Sequence, residues 1–277
     1  TCAVLNSGAV KCWGDNSQRQ LGNNSAVAIS ATAVDVAGIT TANKLAAAQY
    51  TACVLLVDTT VSCWGDNRYG QVSNGGVVSP IGVPSTARFG ASSNLQDVVS
   101  ISSDPFADVF CVNTGSGSAR CWGTNNVFQR GNNNTSSNPY MTTPNGLSSG
   151  VQSIEVGGGH ACASLTGNII RCWGYNVQGG ASGGASRTNV AIPTTVTGAS
   201  GSRLLLGLYS SCSYSNSSDW QCWGLNSSFE RGDGGPDGGG PYAVELNRQA
   251  LLVTDRPSSP SGLQVTSYST TSVSLAW

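Results

Sequence analysis

The sequence is poor in charged residues. They make up 10% of its 277 positions, the formal net charge is −1, and the only lysines are Lys11 and Lys44. A nearly neutral chain has neither the basic surface that binds nucleic acid nor a polybasic membrane anchor. Its apolar runs also fall well short of the ~20 residues that span a bilayer. The composition therefore indicates no nucleic-acid partner and no direct membrane insertion.

Residues for catalysis are equally scarce. His160 is the only histidine, so a Ser-His-Asp arrangement has one possible centre and no identifiable partners. The 14 acidic residues form no pair at equivalent positions of the kind that glycosidases use. Asp233 and Asp237, in the glycine-rich run 232–240, suggest calcium but lack the repeated spacing of a calcium-binding roll. We therefore predict a protein that is not an enzyme and holds no metal or cofactor.

What the sequence does contain is a repeat. The pattern Cys-Trp-Gly-x-Asn occurs five times, at spacings of 51, 58, 51 and 50 residues. A constant period near 50, with short apolar segments between turn residues, is typical of four-stranded propeller blades. The copies run over 12–16, 63–67, 121–125, 172–176 and 222–226.

Each copy has a second cysteine ten positions earlier, and this accounts for all ten cysteines. The intervening segments are predicted hairpins, with turns such as Asn6-Ser7-Gly8 and Thr166-Gly167-Asn168. Residues directly opposite on two such strands lie ~4.5–5.5 Å apart, which suits a disulfide. The predicted disulfides are Cys2–Cys12, Cys53–Cys63, Cys111–Cys121, Cys162–Cys172 and Cys212–Cys222.

Two other interpretations of the cysteines are weaker. Zinc sites use closely spaced cysteine pairs, usually with histidine, and this chain has neither that spacing nor a second histidine. Free buried thiols would leave the constant offset unexplained. Disulfides indicate an oxidising compartment, so we expect a secreted or cell-surface protein.

The fuller repeat resembles a known family. The segment Gly157-Gly-Gly-His160-Ala-Cys162, a hairpin, Cys-Trp-Gly-x-Asn and then Gln20-Leu-Gly22 are similar to regulator of chromosome condensation repeats, in their bacterial extracellular, cysteine-paired form. The resemblance implies an all-β propeller over residues 1–250, and the family typically has seven blades. Five repeats and an abrupt start at Cys2 lead us to expect a truncated N-terminus and an open arc of five blades.

The C-terminal segment has a different character. Residues 251–259 read as a linker, and residues 260–277 resemble the first two strands of a fibronectin type III domain. Alternating apolar residues occur around Val265 and around Leu275. Two strands cannot bury a sandwich core, so we expect other domains of a longer parent chain.

Most repeated residues have a predicted structural role. We interpret the tryptophan of each copy as packing between blades and the asparagine as an Asx-type turn cap. His160 occupies a position where other copies have Thr51, Val109 and Ser210, so we predict a hydrogen-bonded blade residue.

Candidate binding residues lie where the copies diverge, just after Cys-Trp-Gly-x-Asn. The position seven residues after the second cysteine is Gly70 and Gly179 in two copies and a larger residue elsewhere. Exposed aromatic residues and arginine on one rim are typical of binding hot spots. The candidates are Arg19, Tyr69, Phe128 and Phe229.

These features predict a non-catalytic extracellular module that binds a protein or glycan through a propeller rim. The resemblance supports this, since relatives include chromatin-bound exchange factors and a secreted β-lactamase inhibitor, which bind large partners. Two alternatives stay open: part of a secreted polysaccharide-degrading enzyme, and a structural cell-surface repeat protein. Fold alone does not decide among them.

Overall fold

The computed structural model describes residues 1–91, 93–106, 108–183, 186–215 and 220–227, and the strands 264–268 and 273–276. No described segment is a helix long and apolar enough to cross a membrane. Five antiparallel sheets, each made of consecutive strands, account for the repeat region. A meander of this kind is the form of a propeller blade, so the predicted all-β propeller is confirmed.

The five sheets are numbered here as blades 1 to 5. Blade 1 contains β1 (Cys2–Val4), β2 (Val10–Asp15) and β3 (Ile29–Asp35). Blade 2 contains β4 (Ala42–Ala47), β5 (Thr51–Leu56), β6 (Val61–Gly65) and β7 (Ile81–Thr86). Blade 3 contains β8 (Val98–Ser103), β9 (Val109–Thr114) and β10 (Ala119–Gly123). Blade 4 contains β11 (Val151–Val156), β12 (His160–Leu165), β13 (Ile169–Gly174) and β14 (Val190–Ser200). Blade 5 contains β15 (Arg203–Leu206), β16 (Ser210–Tyr214) and β17 (Trp220–Gly224).

A disulfide joins the central hairpin of every blade. The two cysteines of each pair stand directly opposite in the strand register, with Cα atoms 4.0–4.2 Å apart. The hairpin turns form where glycine and asparagine predicted them: Gly167 and Asn168 have φ of +83° and +61°. All five predicted disulfides are thus present.

The blades differ in their number of described strands. Blades 2 and 4 have the predicted four strands, whereas blades 1, 3 and 5 have three described strands. In blade 3 the outer segment contains Pro139 and Pro144, which have no N–H to donate to a ladder. Thr142 forms an isolated bridge there, exchanging two backbone hydrogen bonds of 2.8 Å with Cys121, and the Leu147 carbonyl accepts from the amide of Ala119 at 2.9 Å. The prediction of four strands per blade is therefore wrong for blade 3.

The core consists of four hydrophobic clusters, one at each seam between neighbouring blades. Each seam buries the tryptophan of the later blade completely. Its indole N–H donates to a backbone carbonyl of the preceding blade at 2.8–2.9 Å. These pairs confirm the predicted packing role: Trp64–Gln20, Trp122–Gln71, Trp173–Gln129 and Trp223–Gly180.

The five blades form an open arc. The clusters join blade 1 to 2, 2 to 3, 3 to 4 and 4 to 5, and among the described residues none joins blade 1 to blade 5. The expected open arrangement of five blades is confirmed.

Two further strands, β18 (Gln264–Tyr268) and β19 (Val273–Ala276), form an antiparallel hairpin. Their positions match the two strands predicted for the C-terminal segment. The linker over 251–259 lies outside the described residues. The assignment to a fibronectin type III domain stays a prediction.

Candidate functional site: an axial cavity on one rim

Each of blades 2 to 5 brings two loops together at the same end of its strands. One is the turn between its first two long strands, and the other follows Cys-Trp-Gly. A backbone hydrogen bond of 2.9–3.1 Å joins the two loops. The donor is the amide three positions after the second cysteine, and the acceptor is the carbonyl three positions before the first cysteine. The bonds run from Asp66 to Tyr50, from Thr124 to Asp108, from Tyr175 to Gly159 and from Leu225 to Tyr209.

The glycine of Cys-Trp-Gly permits this close approach. Gly65 has a φ of +108°, and a Cβ atom there would lie 2.2 Å from the carbonyl oxygen of Tyr50. Glycine alone tolerates both the left-handed φ and the contact. The glycine retained in every copy therefore sets the geometry of this rim.

Loops of four successive blades surround a cavity of about 550 Å³. A cavity that blades 2, 3, 4 and 5 share must lie at the central axis, and we call it the axial cavity. Loops that follow Cys-Trp-Gly in blades 2, 3 and 4 all border it, which places those three loops on one rim. Its lining residues are Gln49, Tyr50, Arg68, Tyr69, Phe106, Asp108, Thr124, Asn126, Val127, Gln129, Ser137, Gly158, Gly159, Tyr175, Leu208 and Tyr209.

Aromatic side chains dominate the apolar part of the lining. Phe106 is 70% exposed and Tyr69 is 48% exposed, although both border a concave site. The rings of Tyr175 and Tyr209, from blades 4 and 5, lie 5.6 Å apart. Tyr50 completes a set of five rings from four blades. Rings of this kind present flat apolar faces beside hydroxyl groups.

Two carboxylates and one guanidinium set the charge of the site. Asp66 is fully buried. Its two carboxylate oxygens share the Nε–H of Arg68 at 3.0 Å, and one of them accepts from Arg68 Nη2 at 2.8 Å. Burial raises the pKa of Asp66, but the hydrogen bonds from Arg68 and Ser79 outweigh that effect and lower it. In contrast, burial raises the pKa of Asp108, and the charge of Asp66 adds to the increase. Arg68 is thus hydrogen-bonded to Asp66 and its charge also acts on Asp108; both Arg68 and Asp108 border the cavity.

Buried glutamines hold the loops that line the cavity. Gln129 accepts a hydrogen bond from the amide of Val127 at 2.9 Å and donates to Asn126 Oδ1 at 2.8 Å. Gln71 bonds the amide of Tyr69 in the same way, at 2.8 Å. Side chains at the cavity therefore project from loops with fixed backbones.

A buried arginine supports the outer loop of blade 3. Arg130 stands where the first two copies have Leu21 and Val72, and it has no exposed surface. It donates to the carbonyls of Tyr140 at 2.5 Å and Asn138 at 3.4 Å. Burial lowers its pKa to about 10. The arginine thus bonds carbonyls of the segment that does not form a fourth strand, close to Ser137 of the cavity.

The structure separates the four predicted binding residues. Tyr69 lines the axial cavity. Phe128 is half-buried and lies between two lining residues, Val127 and Gln129. Arg19 is half-buried in blade 1, where it bonds the carbonyl of Asn24 at 3.3 Å, and it does not line the cavity. Phe229 lies outside the described residues.

Arg19 and Phe128 keep the backbone of the glycine that they replace. Their φ angles are +61° and +66°, close to the +76° of Gly70 and +79° of Gly179. A residue with a side chain is strained in this left-handed region, so the surrounding fold must impose the conformation. The loop therefore has the same backbone in these copies, and only the side chain at this position differs.

The remaining repeated residues are structural. His160 is fully buried, and its Nε2 lies 2.8 Å from Ser211 Oγ in blade 5, which confirms the predicted hydrogen-bonded role. Asn67 accepts from the amide of Val72 and donates to the carbonyls of Gly76 and Val78. The predicted Asx-type cap is therefore wrong, because these asparagines bond carbonyls up to 11 or 12 residues further along the chain and not a local turn. The other described examples are Asn16, Asn125 and Asn176.

Sequence reasoning named one lining residue, Tyr69, and missed the loops that precede the first cysteine of each blade. Tyr50, Phe106, Asp108, Leu208 and Tyr209 precede the first cysteine of their blades by three to five residues. A signal was available, because the position three residues before that cysteine also diverges among the copies, as Tyr50, Asp108, Gly159 and Tyr209. Aligning the repeats upstream of the cysteine would have exposed it.

Within the described part of the chain, no three histidine, cysteine, aspartate or glutamate side chains are grouped closely enough to hold a metal ion. Asp233 and Asp237 lie outside the described residues.

Comparison with known proteins gives a clear answer for the fold. No family model matches the sequence, and no curated protein matches it. Among solved structures, human WBSCR16 is 19% identical with a TM-score of 0.66, covering 84% of this chain and 60% of that one. Yeast RCC1 (Prp20), crystallised with Kap60, is 20% identical with a TM-score of 0.66, covering 83% and 55%. A second structure of Prp20p, from Saccharomyces cerevisiae, is 17% identical with a TM-score of 0.59, covering 72% and 50%.

The chain thus spans 50–60% of the length of these structures. Identities of 17–20% establish a shared fold and nothing beyond it. Together with the five antiparallel sheets and the repeated inter-blade tryptophans, they show that this chain folds as a β-propeller of the regulator of chromosome condensation type.

Proposed function

We propose that this chain is an extracellular, non-catalytic recognition module that binds a protein or glycan through the axial cavity. One observation carries the proposal: loops of four blades converge on a cavity of about 550 Å³ with exposed aromatic rings at its mouth. Concave sites with aromatic walls and a few polar groups are the usual form of ligand sites. The five disulfides support the extracellular setting.

The charges of the cavity favour recognition over the alternative of a polysaccharide-degrading enzyme. Glycoside cleavage generally uses two carboxyl groups that flank the bond. Among the described residues that line the cavity, Asp108 is the only carboxylate. Asp66, the acidic residue whose charge acts on it, is fully buried and bonded to Arg68.

A protein partner has additional support from the structural neighbours. Yeast Prp20 was crystallised with Kap60, and the second Prp20p structure is described with its binding to Gsp1p and histones. Those partners belong to those proteins. They indicate that a propeller of this type has surfaces suited to macromolecules.

The proposal can be tested with the double variant Tyr69→Ala/Phe106→Ala. Binding of an immobilised panel of unrelated extracellular polypeptides and oligosaccharides would be measured for the wild-type chain and for the variant. We expect a panel member bound by the wild type to lose about 30-fold or more in affinity, the effect of losing aromatic anchors.

Val57→Ala provides the matched control. Val57 is 70% exposed and follows the opposite end of β5 from the cavity residue Tyr50, so this change should leave binding intact. Equal binding by the wild type and the double variant, or no binding to any panel member, would contradict the proposal.

A further inference from the structure

We propose that the axial cavity receives an arginine side chain presented by a loop of a partner polypeptide, with its guanidinium paired to Asp108 and flanked by the tyrosine rings. This inference rests on the proposed function and specifies the ligand of the same site. Three independent features of the described residues lead to it: the charge at the cavity, the rings around it and the shape of its mouth.

The first feature is an excess of negative charge. Asp66 and Asp108 contribute two negative charges and Arg68 contributes one positive charge, so the group has a net charge of −1 at neutral pH. The Arg68 hydrogen bonds go to Asp66, and the interaction of Arg68 with Asp108 is coulombic. The hydrogen-bond donors to Asp108 are neutral groups, including the Tyr50 amide at 3.3 Å and the Gln71 side chain. A cation from outside would therefore compensate the charge at the cavity wall.

The second feature is the ring of aromatic side chains. Tyr50, Tyr69, Tyr175 and Tyr209 border the cavity that Asp108 also borders. Aromatic faces attract cations, and the attraction increases where water is displaced. A guanidinium is planar, stacks on such faces and binds a carboxylate through two parallel hydrogen bonds, whereas a lysine ammonium does neither as well. Arginine therefore matches the site better than lysine.

The third feature is the open mouth. Phe106 is 70% exposed and Leu208 is 41% exposed, and they come from the β8–β9 and β15–β16 turns. Apolar groups at a rim suit the residues that flank an inserted side chain, and buried anchors surrounded by such contacts are typical of protein interfaces. A loop of a polypeptide offers both parts, and a free guanidinium compound offers only one.

The test uses the described chain and four small probes. They are a capped hexapeptide with a central arginine and apolar neighbours, the same peptide with citrulline, methylguanidine, and cellohexaose as a neutral oligosaccharide. Isothermal titration would give the affinity of each probe. We expect the arginine peptide to bind with a Kd near 100 μM or tighter and the citrulline peptide, which has the same shape without the charge, at least about 30-fold more weakly.

Asp108→Asn is the decisive variant. Asparagine preserves the size of the side chain and tolerates the φ of +41° at this position, so the loop should keep its conformation. We expect it to reduce arginine-peptide binding about 30-fold. Asp35→Asn removes an exposed carboxylate that bonds Lys11 in blade 1, and it should have no effect.

Each outcome has a distinct meaning. Equal binding of the arginine and citrulline peptides, or binding unchanged by Asp108→Asn, overturns the assignment of arginine. Methylguanidine that binds as tightly as the peptide overturns the polypeptide partner. Suppose that the wild type binds cellohexaose but not the arginine peptide, and that Tyr69→Ala abolishes the cellohexaose binding. That result overturns this inference, while the proposed function stands. If the affinity of every probe is unchanged by both Asp108→Asn and Tyr69→Ala, the result contradicts both this inference and the proposed function.

Discussion

The seams between blades and the axial cavity follow opposite rules. At the seams the same residues recur: a buried tryptophan bonds the preceding blade, and a buried asparagine spans the following loop. At the cavity, equivalent positions hold Tyr50, Asp108, Gly159 and Tyr209. The backbone contact there is made by a carbonyl and an amide, so it places no demand on the side chain. The repeat thus fixes the scaffold and leaves one rim free to vary.

The largest effect should come from breaking a seam. Trp122→Ala removes a fully buried indole that stacks on Phe110 at 5.6 Å and donates to Gln71 at 2.8 Å. We expect the free energy of unfolding to fall by about 3–5 kcal/mol, measured by urea denaturation. Trp13, which is half-buried, is the matched position, and Trp13→Ala should cost clearly less. Equal losses would show that the seam is not the source of the stability.

The next effect depends on pH. Ser211 donates its hydroxyl proton to Gly180, so His160 donates from Nε2, and its Nδ1 is buried without a partner. Burial lowers the pKa of His160 to about 4, below the ordinary 6.5. Between these values the unfolded chain binds the proton and the folded chain does not. Stability is therefore lost as the pH falls from 6.5 to 4, by up to about 3 kcal/mol.

His160→Gln isolates this contribution. Asp66, Asp108 and Glu155 also have shifted pKa values and change stability in the same acid range. Subtracting the urea-unfolding profile of the glutamine variant removes their effect. A difference between the two proteins that stays constant from pH 7 to pH 4 would contradict the prediction.

A smaller loss is expected from a buried asparagine. Asn67→Asp keeps the acceptor for Val72 but places a carboxylate against the carbonyls of Gly76 and Val78. We expect about 2 kcal/mol of destabilisation at pH 7. Asn43→Asp, at an exposed position of β4, should change stability by less than about 0.5 kcal/mol. Similar unfolding curves for both variants would show that the loop does not need this side chain.

The cavity rim should give the smallest effect on stability. Tyr69→Ala and Phe106→Ala remove side chains that are 48% and 70% exposed. Each should change the free energy of unfolding by less than about 0.5 kcal/mol. A loss of 3 kcal/mol or more for either variant would mean that these rings hold the loops together and are not free to bind a partner.

The fold could be predicted because its signals are local and repeated. Ten-residue cysteine offsets, turn glycines and a period near 50 specify hairpins that meet the same environment in every blade. The outer strand of blade 3 could not be predicted in this way. Proline in the outer segment does not signal the loss, because the outer strands of blades 2 and 4 also contain one, Pro84 and Pro193. Arg130 bonds the segment in blade 3, but the fifth copy has Arg231 at the same position of the sequence.

Of the described lining residues, one, Tyr69, was named from the sequence. Tyr69 was found because its loop follows a recognisable motif. Phe106 and Asp108 lie in turns without such a motif, and their position at the cavity depends on how four blades meet at the axis. Arg19 is the opposite case. It differs from the glycine at the equivalent position of other copies, but no described residue of its blade lines the cavity.

The tryptophan bonds also give the chain a direction in time. In every described seam the donor belongs to the later blade and the acceptor to the earlier one. The N-terminal part of a protein is synthesised first. The seam of a blade can therefore form once the central hairpin of the next blade, which carries the tryptophan, has been synthesised. Each disulfide lies within a single hairpin, so no cysteine waits for a distant partner. A growing chain therefore exposes about one unfinished seam at a time, however many repeats it contains, and a duplicated repeat can join the later end without disturbing the blades already formed.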